Sequence, residues 1–102
     1  MIAHLMRVRS LLRSGWSRYA HARDIYGQVT SPESDDAKSW CIYGAIRRAK
    51  HELGPCDGLE QRLEAVNPYA QNIMAVNDWE GRIAILSIVE LAVAATMRAE
   101  AA

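Results

Sequence analysis

The sequence predicts a mainly α-helical domain, a compact bundle of four to five helices with one short β-hairpin between the first and second. Three observations predict it. Apolar residues recur at helical spacing over most of the chain. Around residues 18–30 that period gives way to alternation. Breaks at Gly15, Gly54-Pro55 and Asn67-Pro68 divide the helical stretches. The chain has 102 residues, 50% of them hydrophobic, with no Phe. This suits a single helical domain over 1–102 that buries its core without a metal or disulfide.

The first helix is expected over "IAHLMRVRSLLR", with Met1, Leu5, Val8, Leu11 and Leu12 on one face and Gly15 as the stop. In "WSRYAHARDIYGQVT", Tyr19, His21 and Arg23 alternate with Arg18, Ala20 and Ala22. Asp24 and Gly27 have the chemistry of a tight turn, so strands are expected near 18–23 and 28–30. Two strands alone are marginal, so this hairpin must lie on helices.

"SPESDD" has the look of a helix start. Ser31 can cap, Pro32 fits the first turn, and Glu33, Asp35 and Asp36 suit the positive end of the dipole. The second helix is therefore expected from about 34 to Leu53, with a polar side of Asp36, Ser39, Tyr43, Arg47 and Lys50. Asp57 caps a short helix bearing Leu59 and Leu63, and another short helix follows over Pro68 to Ala75. Asn77 or Asp78 caps the last helix. There, Ser87, Glu90, Ala94 and Arg98 form the one wet stripe, and the rest is apolar enough for a central or dimerising helix.

The stretch "KSWCIYGAIRRA" poses the main structural question. Cys41, Gly44 and Ala45 form a sector of small residues beside Trp40. A mid-helix glycine costs about 1 kcal/mol relative to alanine. Close approach of a second backbone, from the hairpin or the last helix, is the reading that justifies it. Arg48 falls on the same face and needs a partner if buried; Glu52, one turn on, is the nearest candidate, with Asp24 and Asp78 as others.

Charge is zero overall but unevenly spread, with nine Lys/Arg against four Asp/Glu in residues 1–50 and the reverse bias, three against eight, after them. Such polarity aligns a partner or joins the two halves to each other. The N-terminus lacks a signal-peptide pattern, and the longest apolar run, Ile83 to Met97, holds Glu90 and is short for a membrane span. The expectation is a reduced cytoplasmic protein with free Cys41 and Cys56, no membrane attachment, no metal site and no cofactor.

Catalytic motifs for phosphate, nucleotide, zinc or serine chemistry are not found. An enzyme built on this chain would need a pocket around Cys41, Arg48 and Asp78, with His21 as a base. A nucleic-acid binder would use Arg7, Arg9, Arg13 and Arg18, with Tyr19 interleaved. The leading expectation is neither. It is a non-enzymatic protein-interaction module whose surface comprises Arg18, Tyr19, His21 and Arg23, extended by Tyr43 and Arg47, residue types that dominate binding hot spots. Trp16, Asp24, Gly27, Trp40, Cys41, Gly44, Ala45, Arg48, Asn77 and Asp78 are expected to be structural, and the last helix is a candidate homodimer face.

Read together, Trp16, Ala22-Arg23-Asp24 with Gly27 and Val29, the Trp40-Cys41-x-x-Gly44-Ala45-Ile46 element and Asn77-Asp78 before an apolar helix resemble a family of small uncharacterised proteins of bacteria, notably actinobacteria, and their phages. The similarity spans most of the chain, and Trp40-Cys41-x-x-Gly44-Ala45 is its most distinctive part. Trp79 follows Asn77-Asp78 here, whereas in the family a tryptophan usually precedes them. The resemblance implies the order of elements and no activity. It suggests a phage or mobile-element protein that binds and modulates a bacterial protein complex such as a defence system.

Overall fold

The computed structural model describes residues 1–101. Five helices and one two-stranded antiparallel sheet follow in the order α1 (Ile2–Ser14), β1 (Ala22–Arg23), β2 (Ser39–Trp40), α2 (Ile42–Leu53), α3 (Leu59–Ala65), α4 (Ile73–Ala75) and α5 (Arg82–Ala101), with a π-helical turn (Val76–Glu80) between α4 and α5. Helix α1 packs against both α2 and α5, while α3 and the π turn lean on α5. The molecule is 19 Å thick, about two helix diameters.

The predicted face of α1 is the buried one, with Leu5, Val8, Leu11 and Leu12 almost fully covered. They meet Ile42, Ala45, Ile46 and Ala49 of α2 and Ile85, Ile88, Val89 and Ala92 of α5 in one core cluster. Gly15 does follow α1, but in extended conformation (φ −171°). Its role is space: a Cβ there would strike the Lys38 carbonyl.

The Asp24–Gly27 turn forms as expected. The Asp24 carboxylate accepts from Tyr26 N and Gln28 N, both at 2.9 Å, Gly27 takes φ +81°, and Arg23 bridges Val29 antiparallel. The regular strand partner lies elsewhere. β1 pairs with β2, Ala22 opposite Trp40 and Arg23 opposite Ser39, where strands near 18–23 and 28–30 were expected.

That pairing shortens the second helix. It starts at Ile42, not near residue 34, because Ser39 and Trp40 are drawn into the sheet. Residues 31–38 are turns instead. Ser31 Oγ accepts from Glu33 N and Ser34 Oγ from Asp36 N, local bonds by which Ser competes with helix formation. Ser31 is therefore no helix cap. Cys41 is: its Sγ accepts from Gly44 N at 3.3 Å, so Cys41 stands at the start of α2 and not in its middle.

Three further boundaries move. α3 begins after Gly58 (φ 86°) and not on an Asp57 cap. The helix expected over Pro68–Ala75 shrinks to Ile73–Ala75, capped by Asn72, whose Oδ1 accepts from Ala75 N. The last helix starts at Arg82, after Gly81, and neither Asn77 nor Asp78 caps it. Both sit in the π turn, where a wider loop of backbone frees their side chains for other work.

Gly44 answers the question raised by the quoted stretch. A Cβ on it would overlap the His21 carbonyl. That carbonyl also accepts from Cys41 N at 3.2 Å. The backbone pressed against the small residues is thus the one leading into β1. Trp40 is buried beside them and donates its Nε1 to Pro32 O at 3.1 Å.

Candidate functional site

Asn77 organises one end of the molecule. It is fully buried. Its Oδ1 accepts from Trp16 Nε1 and from Ile42 N, both at 3.0 Å. Its Nδ2 donates to Ser17 O at 3.2 Å and to Asp78 Oδ1 at 3.1 Å. One side chain therefore joins the segment after α1, the first turn of α2 and the π turn. Buried polar groups satisfied this fully specify geometry more than they add stability.

The same frame presents an aromatic and cationic patch. Tyr19 adopts φ +66°, the only non-glycine residue described with positive φ, and its amide donates to Asp78 Oδ1 at 3.2 Å. A left-handed tyrosine costs roughly 1–2 kcal/mol, which the surrounding network holds in place. The Arg18 guanidinium lies 5.2 Å from the Trp16 ring centre and 5.8 Å from that of Tyr19. Trp79 meets Tyr19 edge-on, with ring centres 5.8 Å apart. Tyr19 is 60% and Trp79 70% exposed. Among the described residues, no carboxylate lies within ion-pair reach of Arg18.

His21, Tyr43 and Arg47 come together a short step away. With Ile46 and Glu60 they line a shallow concavity of about 230 Å³. Burial, and then the Glu64 and Glu60 carboxylates, push the Tyr43 phenol up from its ordinary value. Arg47 reaches Glu33 at 3.4 Å. Arg23 turns back instead, donating to Gly27 O at 3.0 Å and Arg18 O at 3.2 Å. It braces the hairpin and the Arg18 backbone.

The residues grouped for an enzyme pocket have separate structural engagements. Cys41 is fully buried. Burial pushes its thiol up, against the opposing pull of backbone bonds from Gly44 and Tyr43. Arg48 donates to Glu52 at 2.6 Å, Ser34 O at 2.8 Å and Pro32 O at 3.1 Å. Its guanidinium also lies 5.7 Å from the Trp40 ring centre. Asp78 serves Tyr19 and Asn77.

The arginines of the first helix are paired across the two halves. Arg7 meets Glu52 at 2.6 Å, while Arg9 and Arg13 share Glu90 at 3.3 and 2.9 Å. These contacts join part of the uneven charge of the two halves. Among the described residues, no three His, Cys, Asp or Glu side chains cluster as a metal set, and no helix is long and apolar enough to cross a membrane.

Sequence reasoning named Arg18, Tyr19, His21 and Arg23, extended by Tyr43 and Arg47, and left out Trp79, which the structure places edge-on to Tyr19. A tryptophan inside the polar run "NDWEGR" was the available signal. Protein-family models, curated proteins and solved structures contain no match to this chain.

Proposed function

We propose that the protein is a small cytoplasmic interaction module, without catalytic activity of its own, that docks on a protein partner through Arg18, Tyr19 and Trp79, with the concavity of His21, Tyr43 and Arg47 as its extension. The observation that carries this reading is Arg18 itself. Its guanidinium rests on Trp16 and Tyr19 beside an exposed Tyr19–Trp79 pair, and among the described residues no carboxylate is within ion-pair reach of it. Cation–π contacts of this kind hold the planar donors in place at about 0.5–1 kcal/mol each and leave their edges open. Trp, Tyr and Arg in one rigid patch are the residue types on which binding energy concentrates. A pre-ordered patch loses little side-chain freedom on docking. Within the family resemblance, the partner is a bacterial protein complex, such as a defence system, that a phage or mobile-element protein would modulate.

The test is affinity capture from host lysate with native protein, with Trp79→Ala and with Arg18→Glu, each first checked for native helix content. A partner retained by native protein and lost with both variants supports the reading. Equal capture by all three refutes it. The second reading, nucleic-acid binding, is favoured by the exposed stacking surface of Tyr19 and Trp79. Titration of tryptophan fluorescence with single-stranded oligonucleotides decides it: quenching that weakens steeply with salt would replace the protein partner by nucleic acid.

A further inference from the structure

Helix α5 spans Arg82–Ala101, 20 residues, so it is about 30 Å long. Its outer face is open: Ile83 is 83%, Met97 57% and Leu91 47% exposed. An apolar groove of about 650 Å³ runs along Ile83, Leu86, Ser87, Glu90, Leu91 and Ala94. Ile83, Ser87, Glu90, Ala94, Met97 and Ala101 follow one another at alternating steps of four and three, the spacing that keeps a seam facing a second helix.

The seam alternates in size. One heptad position holds Ile83, Glu90 and Met97, and the other holds Ser87, Ala94 and Ala101. A parallel copy would set like against like, crowding Glu90 on Glu90 and leaving Ala94 opposite Ala94 hollow. An antiparallel copy sets large against small in every layer: Ile83 with the partner's Ala101, Met97 with the partner's Ser87, Glu90 with the partner's Ala94. This register also brings Arg82 to the partner's Glu100 at both ends, where a parallel pair would oppose like charges. Glu90 enters the seam already neutralised by Arg9 and Arg13 of its own α1. Sliding by one heptad in either direction would lose the Arg82–Glu100 pairs, and in one direction it would set Met97 against the partner's Glu80, beyond the Gly81 break.

We infer that the exposed face of α5 is covered by α5 of a second copy of this chain, antiparallel, with Leu91 beside the twofold axis. Arg18, Tyr19 and Trp79 lie outside the heptad positions of the seam, although the Arg18 guanidinium approaches Gly81 at its start, so this goes beyond the function proposed above. A helix strip roughly 10 Å wide and 30 Å long buries about 300 Å² on each copy. A standard interface buries about 800 Å² per partner. The dimer is therefore weak and concentration-dependent.

Two measurements test it. Native protein in sedimentation equilibrium is expected to move from monomer toward dimer mass across the micromolar to submillimolar range. Leu91→Glu, with unchanged helix content, should stay monomeric. Arg82→Glu should weaken association about three- to tenfold, and adding Glu100→Arg should restore it. In a Cys56→Ser background, Leu91→Cys is expected to form an intermolecular disulfide readily and Ile83→Cys slowly, because the antiparallel register separates the two copies of Ile83. A monomer at every concentration, dimerisation indifferent to Leu91→Glu, or Ile83→Cys cross-linking as fast as Leu91→Cys would each overturn the inference. Arg47→Ala, in the concavity that extends the docking patch, should dimerise like native protein, which keeps this outcome separate from that of the docking patch.

Discussion

Asn77 and Gly44 carry unusual structural responsibility for their size. Removing the Asn77 amide would leave Trp16 Nε1, Ile42 N and Ser17 O short of partners inside the protein. Each unsatisfied buried group costs about 1–3 kcal/mol, so Asn77→Ala should lower the unfolding free energy by about 3 kcal/mol or more in urea denaturation. Gly44→Ala improves helix propensity, yet its Cβ would meet backbone and not a yielding side chain. It should destabilise by roughly 1–3 kcal/mol, read from the shift in the urea midpoint. Were Gly44 merely a tolerated helix interruption, the same substitution would stabilise the protein. Glu52 offers a test by pH. Its carboxyl is lowered from 4.5 to about 2, chiefly by the hydrogen bond from Arg7, with burial opposing and Arg48 adding to the effect. A folded value below the unfolded one means this stabilisation is present above about pH 4.5 and fades as pH falls toward 2. Solvent screening limits its worth to about 1 kcal/mol. Glu52→Gln should flatten that part of the stability–pH curve and lower the plateau above it.

At the scale of elements, residues 31–38 show how tertiary contacts override a local signal. Ser31-Pro32-Glu33 followed by acids reads as a helix start, and Arg48 and Trp40 explain why it is not one. Their side chains bind the Pro32 carbonyl together, and Arg48 also takes Ser34 O. Arg48→Ala should therefore raise amide hydrogen exchange across 31–38 more than in α1 or α5, as mass spectrometry of exchanged peptides can measure. The π turn is the second such element. It holds Asn77 in the interior and Trp79 at the surface before α5 begins at Arg82. The chemistry of the Asp24–Gly27 turn, by contrast, is local, and it was legible residue by residue because Asp24 satisfies the turn's own amides.

At the scale of the molecule, the opposite charges of the two halves become contacts between α1 and the elements after it. Arg7 reaches the end of α2, while Arg9 and Arg13 reach α5. Arg18, on its aromatic bed, is one of the cations outside these ion pairs, and the outer face of α5 stays open. The two cysteines report the packing directly. Cys41 is buried and Cys56 half-exposed. Thiol labelling of the folded protein should modify Cys56 quickly and Cys41 only at the rate of unfolding. Equal rates would mean that β1 and the chain leading into it do not cover the start of α2.

The sequence by itself determined what depends on near neighbours: the buried face of α1, the stops at Gly15 and Gly54, the tight turn at Asp24–Gly27, and the need for a close backbone at Gly44. Periodicity and turn chemistry act over a few residues, so one chain suffices to read them. Only the tertiary structure decided that Ser39–Trp40 joins β1, that Cys41 caps α2, and that Asn77 turns inward while Trp79 joins Arg18 and Tyr19. Those outcomes rest on bonds between residues up to 61 positions apart. No local pattern encodes such bonds, because each partner becomes available only once the core has brought the segments together.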